Sequence, residues 1–580
     1  MEVTDDGAAL RAAGGRCLAQ VFEHSDGRGP PLRVGVVVDA SGTRIVAEIL
    51  KNLVSSDYIA SELVLIVEDA PRPPPLIDVW SPRRNILGSL LESFELRRES
   101  RQPPSVNPAS PADLQPLLQQ LGAPQMTVVR DDEGELQPAP GMNELIKGLD
   151  VLLWCARQRP WNAAFFSARR GCWFLAAGRH SGHGGLRSRA YEAPIGCTDS
   201  EILLLALDSP AGVPITLCSA VLRRWATLSR ANSTPELTWE GEHFFIRALH
   251  ELHARGWASL RARALARAVP PKTSPQLSPV AVASHYASGI VQKVARRLTP
   301  SGRQVDHWRL SIRAIDQVPL VARDHPVWEG GNVIPTPRGQ FWADPFLVEH
   351  GERTYLFFEN YIYEDMRAVL SVCEVLSDGT LSDPVECLRT GYHLSYPHVF
   401  AHHGEYFMIP ESAENGTVEL YRAIEFPLKW KLEKVLFRGM AVDTTFLVHD
   451  DRCYFFTSMS NFGTQFPVQL LFNADSITSD WRLHPASPIS TGVHAERGGG
   501  AILRVDDRLV RPVQNGSRGY GHSLAFADIV ELDPQHYAQT VRATLDPKWA
   551  NRLAGTHTYA KSSRWEVIDG LWRENILEVL

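Results

Sequence analysis

"ADPFLVEHGERTYLFFE" (residues 343–359) runs from an acid before proline, through a His-Gly-Glu turn, into a second, aromatic-rich strand. Four more stretches lie under it: "YPHVFAHHGEYFMIPE" from Tyr396, "VDTTFLVHDDRCYFFTS" from Val442, "GGGAILRVDDRLVRPVQ" from Gly498 and "GTHTYAKSSRWEVIDG" from Gly555. Each is a strand, a tight turn and a strand, and the spacing is about 50 residues, the scale of one propeller blade. Five such units predict a five-bladed β-propeller. A sandwich also alternates strands and turns, but it does not repeat one turn at a fixed period.

Upstream the texture differs. "LRVGVVVDA" (32–40) and "ELVLIVEDA" (62–70) are short continuous apolar runs, the pattern of parallel strands covered on both faces. A stretch of helical spacing, 42–56, lies between them. Strand, helix, strand opens an α/β sheet, and residues 240–269 carry a long helical pattern. The fold class expected is therefore multidomain, α/β plus all-β: a tail over 1–30, an α/β domain over 31–265, a Pro- and Ser-bearing linker over 266–310 and a propeller over 311–580.

The formal charge of −7 over 580 residues gives no general attraction to nucleic acid. Eight cysteines without a C-x-x-C pair speak against a zinc knuckle or a redox motif, and no metal ligand spacing stands out. The acidic first residues do not form a secretory signal, and no apolar run is long enough to span a bilayer. The expectation is a cytoplasmic protein without a transmembrane segment, compatible with peripheral membrane contact.

In a propeller the innermost strands gather around one axis, so equivalent positions of different blades become neighbours. Asp344 opens the first strand of blade one and Asp443 that of blade three. Glu496 precedes the first strand of blade four, and Glu411 ends the second strand of blade two. Separated carboxyl groups converging on one pocket suit glycosidic chemistry, one as base or nucleophile and another, with a raised pKa, as acid. Each residue alone also reads as a turn or capping side chain. Arg497, Arg511 and Arg518 add forks suited to phosphate or carboxylate, or to bridging blades. His398, His403 and His557 are candidates to face the axis.

"WADPF" and "AVDTTFLVHDD" resemble the first and third blades of the five-bladed furanosidase clan that includes glycoside hydrolase family 43. That resemblance implies Asp344 as general base, Asp443 as the group adjusting the acid's pKa and Glu496 as the acid, although "AERGGG" stands where the family has Glu-Gly-Pro. Over about 335–575 the chain is also similar to the N-terminal propeller of glucosamine inositolphosphorylceramide transferases. The Arg-Pro-x-Gln and Tyr-Gly pattern, here Arg511, Pro512, Gln514, Tyr520 and Gly521, carries it. It implies a glycan-related role. Residues 32–255 resemble a formyltransferase-type, Rossmann-like α/β domain through "LRVGVVVDA", "LDVLLW", "GCWFLAAGR", "GVPITL" and "LSRANS". There Ala176 and Phe174 stand where that family has its His and its Ser or Asn, with His180 and His183 nearby. This implies a degenerate module that does not use folate.

Together these readings predict a carbohydrate-active enzyme, foremost a glycosyltransferase in surface glycan or glycolipid biosynthesis. Asp344, Asp443, Glu496 and Glu411 would be catalytic, and Arg497, Arg511, Gln514, Tyr520, His398 and His557 would hold a carbohydrate or a nucleotide-sugar donor. The alternatives are a furanoside hydrolase, a non-catalytic glycan-binding scaffold and a sugar-amine formyltransferase.

Overall fold

The computed structural model describes residues 18–25, 27, 29–68, 107–131, 134–158, 160, 162–177, 199–223, 238–267, 284, 304–315, 318–460, 467–490, 495, 497–516 and 519–580. The chain divides into two compact units.

The first unit is a mixed eight-stranded sheet in the order β4-β3-β2-β1-β5-β6-β7-β8. The strands are β1 (Leu32–Asp39), β2 (Ile59–Val67), β3 (Gln125–Arg130), β4 (Leu136–Gln137), β5 (Val151–Trp154), β6 (Cys172–Ala177), β7 (Asp199–Leu207) and β8 (Ile215–Arg223). From β3 to β6 the pairs are parallel, and β6-β7, β7-β8 and β3-β4 are antiparallel. Val34, Val36, Val37 and Val38 of β1 are buried, as the continuous apolar run requires. The long helix runs Phe244–Arg267, but Gly256 leaves helical geometry (φ 78°, ψ 169°) and breaks it in two. No helix among the described residues is long and apolar enough to cross a membrane.

The second unit is the five-bladed propeller. Three four-stranded antiparallel sheets form blades one (Gln340–His350, Arg353–Ile362, Arg367–Val375, Val385–Leu388), two (Ser395–His402, Glu405–Ser412, Thr417–Glu425, Lys429–Arg438) and three (Ala441–His449, Arg452–Ser460, Pro467–Ala474, Arg482–Leu483). Blade four follows with Arg508–Asn515, Ser523–Leu532 and Tyr537–Leu545 behind a broken first strand. Blade five closes the ring. Its C-terminal strand Trp565–Asn575 pairs along its whole length with Gln304–Ala314, the strand that opens the unit. The propeller thus begins inside the stretch read as linker. Its opening strand finds its partner some 250 residues later, a pairing that no local pattern announces.

The turns are built as the repeats implied. His403 and Gly404 (φ 50° and 81°) and Asp450 and Asp451 (φ 47° and 56°) put two residues in the left-handed region, the geometry that joins twisted strands tightly. His403 is therefore an exposed turn residue, not an axial one.

Candidate active site

The first strands of blades one, two and three share one irregularity. Their pairing with the second strand slips between Ala343 and Phe346, between Ser395 and His398, and between Val442 and Thr445. In each slip one non-glycine residue takes a positive φ: Asp344 (51°), Tyr396 (46°) and Asp443 (51°). Aspartate tolerates the left-handed region, whereas tyrosine enters it at a cost of about 1 kcal/mol. Such bulges re-aim a side chain, here toward the axis. The residue before each bulge faces a fixed place on the second strand, so Ala343 pairs with Glu359 and Ser395 with Glu411.

Asp344 is buried. Its Oδ1 accepts from Thr558 Oγ1 (2.8 Å) and its Oδ2 from the Tyr396 backbone N–H (3.3 Å). Burial is the main force pushing its pKa up, to about 7. The charge of His557 opposes that rise, and Glu359, Asp443 and Asp569 reinforce it.

Asp443 is also buried, but a cation holds it. Arg497 Nε donates to Oδ2 (2.5 Å), Arg497 Nη2 to Oδ1 (3.1 Å) and Gln514 Nε2 to Oδ2 (3.1 Å). The fork geometry fixes both oxygens. Arg497 Nη2 also reaches Glu411 Oε2 (3.3 Å), which accepts the Asp443 backbone N–H as well (3.2 Å). Glu411 is pushed up to about 8, first by burial and then by Asp443, with Arg497 pulling the other way. The exposed ring of Tyr520 covers the guanidinium of Arg497 at 5.1 Å.

His557 completes the ring of groups. Its Nδ1 donates to Asp569 Oδ2 (2.6 Å) and lies 3.9 Å from Asp344 Oδ1. Trp308 stacks on the imidazole at 3.9 Å. Burial alone would neutralise His557, but the Asp569 carboxylate overrides it and lifts the pKa to about 9. Asp344, His557 and Asp569 bring their ligand atoms within 4.8 Å of one another, a spacing that a metal ion would accept. Yet Asp569 is already filled: Oδ1 accepts the N–H groups of His557 and Thr558, and Oδ2 that of Asp344 and the imidazole. The donor set fits an ion pair better than a cation site.

Tyr396 ties blade two to blades three and four. It is buried, and its hydroxyl bonds Thr445 Oγ1 (2.8 Å), the Gly500 carbonyl (3.1 Å) and the Gly500 N–H (2.8 Å). The glycine is required there, because a Cβ at Gly500 (φ 131°) would stand 2.1 Å from the Tyr559 carbonyl oxygen.

Asp344, Asp443, Glu411, Arg497, Gln514, Tyr520 and His557 therefore lie around one mouth. Two expected residues do not. Arg511 is wedged between blades three and four, its guanidinium 4.9 Å over Phe456 and its Nη1 bonded to Gln539 Oε1 (3.1 Å). His398 bonds the Phe446 carbonyl (3.3 Å) and ties the inner strands of blades two and three. Burial drives its pKa down to about 4, so it is neutral. Glu496, Arg518, His180 and His183 lie outside the described residues. In the first unit Phe174 and Ala176 are buried in β6. Sequence reasoning missed Tyr396, Glu359, Thr558 and Asp569. Glu359 was within reach, since "FFEN" and "IPES" occupy the same place in their repeats.

The fold and site define a five-bladed propeller with an acid-rich mouth. A family model described as glucosamine inositolphosphorylceramide transferase 1, N-terminal, matches residues 331–560. The chain is 35% identical over 205 residues to glucosamine inositolphosphorylceramide transferase 1 of Arabidopsis thaliana, covering 34% of this chain and 27% of the relative. With the protein of that name from Oryza sativa subsp. japonica it shares 32% over 243 residues, covering 40% and 33%. The chain thus spans about a third of the length of the curated relatives it matches. Among solved structures, the catalytic domain of a Coprinopsis cinerea GH62 α-L-arabinofuranosidase aligns at 13% identity, covering 40% of this chain and 91% of that one, with a TM-score of 0.31. A β-1,2-mannobiose phosphorylase from Listeria innocua aligns at 11%, covering 46% and 98%, with a TM-score of 0.32.

Proposed function

We propose that the propeller mouth transfers a glycosyl group during synthesis of a surface glycan or glycolipid. One observation carries this reading: the Asp344 and Glu411 carboxyl groups, whose pKa values burial raises, share a mouth with the Asp443–Arg497 ion pair. Titration near the working pH suits proton transfer in both directions. Glu411 would give its proton to the leaving oxygen of the donor. Asp344 would take the proton of the incoming hydroxyl, or attack the sugar carbon first. The fixed charge of Asp443 would stabilise the positive charge that develops on the ring.

The similarity to glucosamine inositolphosphorylceramide transferases supports a sugar donor and a glycolipid-type acceptor. The first unit, with buried apolar side chains at Phe174 and Ala176 where the resemblance to formyltransferases would call for polar ones, is read as a non-catalytic module. The test is mass spectrometry of the purified protein with a panel of activated sugar donors and hydroxyl acceptors, beside Asp344→Asn. Donor consumption that vanishes in the variant supports the reading, and appearance of the sugar on an acceptor rather than on water separates transfer from hydrolysis. A folded protein that turns over no donor would instead be a binding module.

A further inference from the structure

Beyond the bulge the first three strands of blade one stay paired, and the two faces of this stretch differ. On one face Trp342 is buried and packs on Phe358. On the other, Phe341 and Tyr361, a cross-strand pair, stack face to face at 4.6 Å and 6°. Tyr363 stands edge-on to both, at 5.9 and 5.5 Å. These three rings are only partly buried, and the Tyr361 hydroxyl makes no hydrogen bond among the described residues.

The aromatic wall leads directly to the carboxyl groups. Tyr361 is two residues from Glu359, on the same strand face. The His393 ring lies 6.1 Å from that of Tyr361, and its Nε2 reaches Glu359 Oε1 at 3.4 Å. The Ala368 N–H donates to His393 Nδ1 (3.2 Å), which sets the tautomer with Nε2–H toward Glu359. Neither the repeats nor the family match gives these five residues a role.

We infer that Phe341, Tyr361 and Tyr363, with His393 and Glu359 at their foot, form a second saccharide subsite that seats a neutral pyranose ring beside the mouth. It rests on the transfer reading above, in which it would hold the acceptor. The apolar C–H face of a pyranose matches a flat aromatic wall. Its hydroxyls can donate to the Glu359 carboxylate, and the same carboxylate repels a uronic acid. Specificity against acid sugars comes from that repulsion as much as from the attractive contacts.

Isothermal titration of the full chain with methyl hexopyranosides and the matching hexuronic acids tests the subsite. Saturable binding of a neutral hexopyranoside is expected, weakened about tenfold in Tyr361→Ala, the scale of one aromatic contact. Tyr361→Phe should keep the affinity, and the hexuronic acid should bind about tenfold more weakly than its parent. With a working donor, Tyr361→Ala should raise the acceptor KM and leave kcat near its original value. No saturation by any hexopyranoside, unchanged affinity in a Tyr361→Ala protein of unaltered Tm, or equal binding of the uronic acid would overturn the inference. If Asp344→Asn kept full turnover while Tyr361→Ala still lost affinity, the catalytic reading would fail and the subsite would stand.

Discussion

Blades one and three place an aspartate in the same bulge, at the same φ of 51°, and then treat it in opposite ways. Asp344 receives a threonine hydroxyl and a backbone N–H, and its nearest cation stands 3.9 Å away on an imidazole already committed to Asp569. Asp443 receives a guanidinium fork and an amide. Equal backbones with unequal partners give one carboxyl group that can exchange a proton near neutral pH and one bound into an ion pair. Environment, not position in the repeat, assigns the roles.

The largest expected effect is on turnover. Asp344→Asn should lower kcat by about a thousandfold, within the range of a lost general acid or base, while unfolding stability changes by less than about 1 kcal/mol. Asn keeps the shape and an acceptor for Thr558, removes the titration, and gives up only the long 3.3 Å acceptance from the Tyr396 N–H. Asp443→Asn should show the reverse balance, with a stability loss of about 3 kcal/mol in chemical unfolding. It leaves the Arg497 guanidinium, 18% exposed, with Glu411 as its remaining carboxylate partner. Matching stability losses in the two variants would erase the contrast between the blades.

The pH profile sharpens the same contrast. As a base Asp344 must be deprotonated, so activity should rise through about 7. As an acid Glu411 must be protonated, so activity should fall through about 8. A narrow bell results, each limb changing about tenfold per pH unit once past its pKa. In Arg497→Met the alkaline limb should move upward, because the cation that favours ionised Glu411 is gone. A limb that stays in place would remove Glu411 as the acid.

Much of this was legible in the sequence. The period of the repeats gave the blades, and the recurring acid at the strand start gave Asp344 and Asp443. Arg511 was misplaced for a readable reason: it stands three residues from Gln514 on one strand, so the two side chains point to opposite faces. Gln514 reaches the mouth and Arg511 the gap between blades. The opening strand 304–314 was hidden because its partner is distant in sequence, and sequence patterns report local periodicity. Tyr396 was hidden because Ser-Tyr-Pro reads as ordinary strand, and only the backbone reveals that it fills the aspartates' bulge.

Tyr396 also supplies the mildest test. It holds the third copy of the bulge without a carboxyl group, so its side chain should matter for packing and not for proton transfer. Tyr396→Phe removes the hydroxyl that ties blade two to Thr445 and to both backbone groups of Gly500. The cost should be about 1 kcal/mol, the net value of a buried hydrogen bond, read as a lowered Tm. Turnover per folded molecule should stay within about threefold of the original, far from the loss that removal of a proton-transfer group produces. If kcat instead fell as far as in Asp344→Asn, the bulge would act as one unit in all three blades. The division of roles between Asp344 and Asp443 would then follow from the shared backbone rather than from their partners.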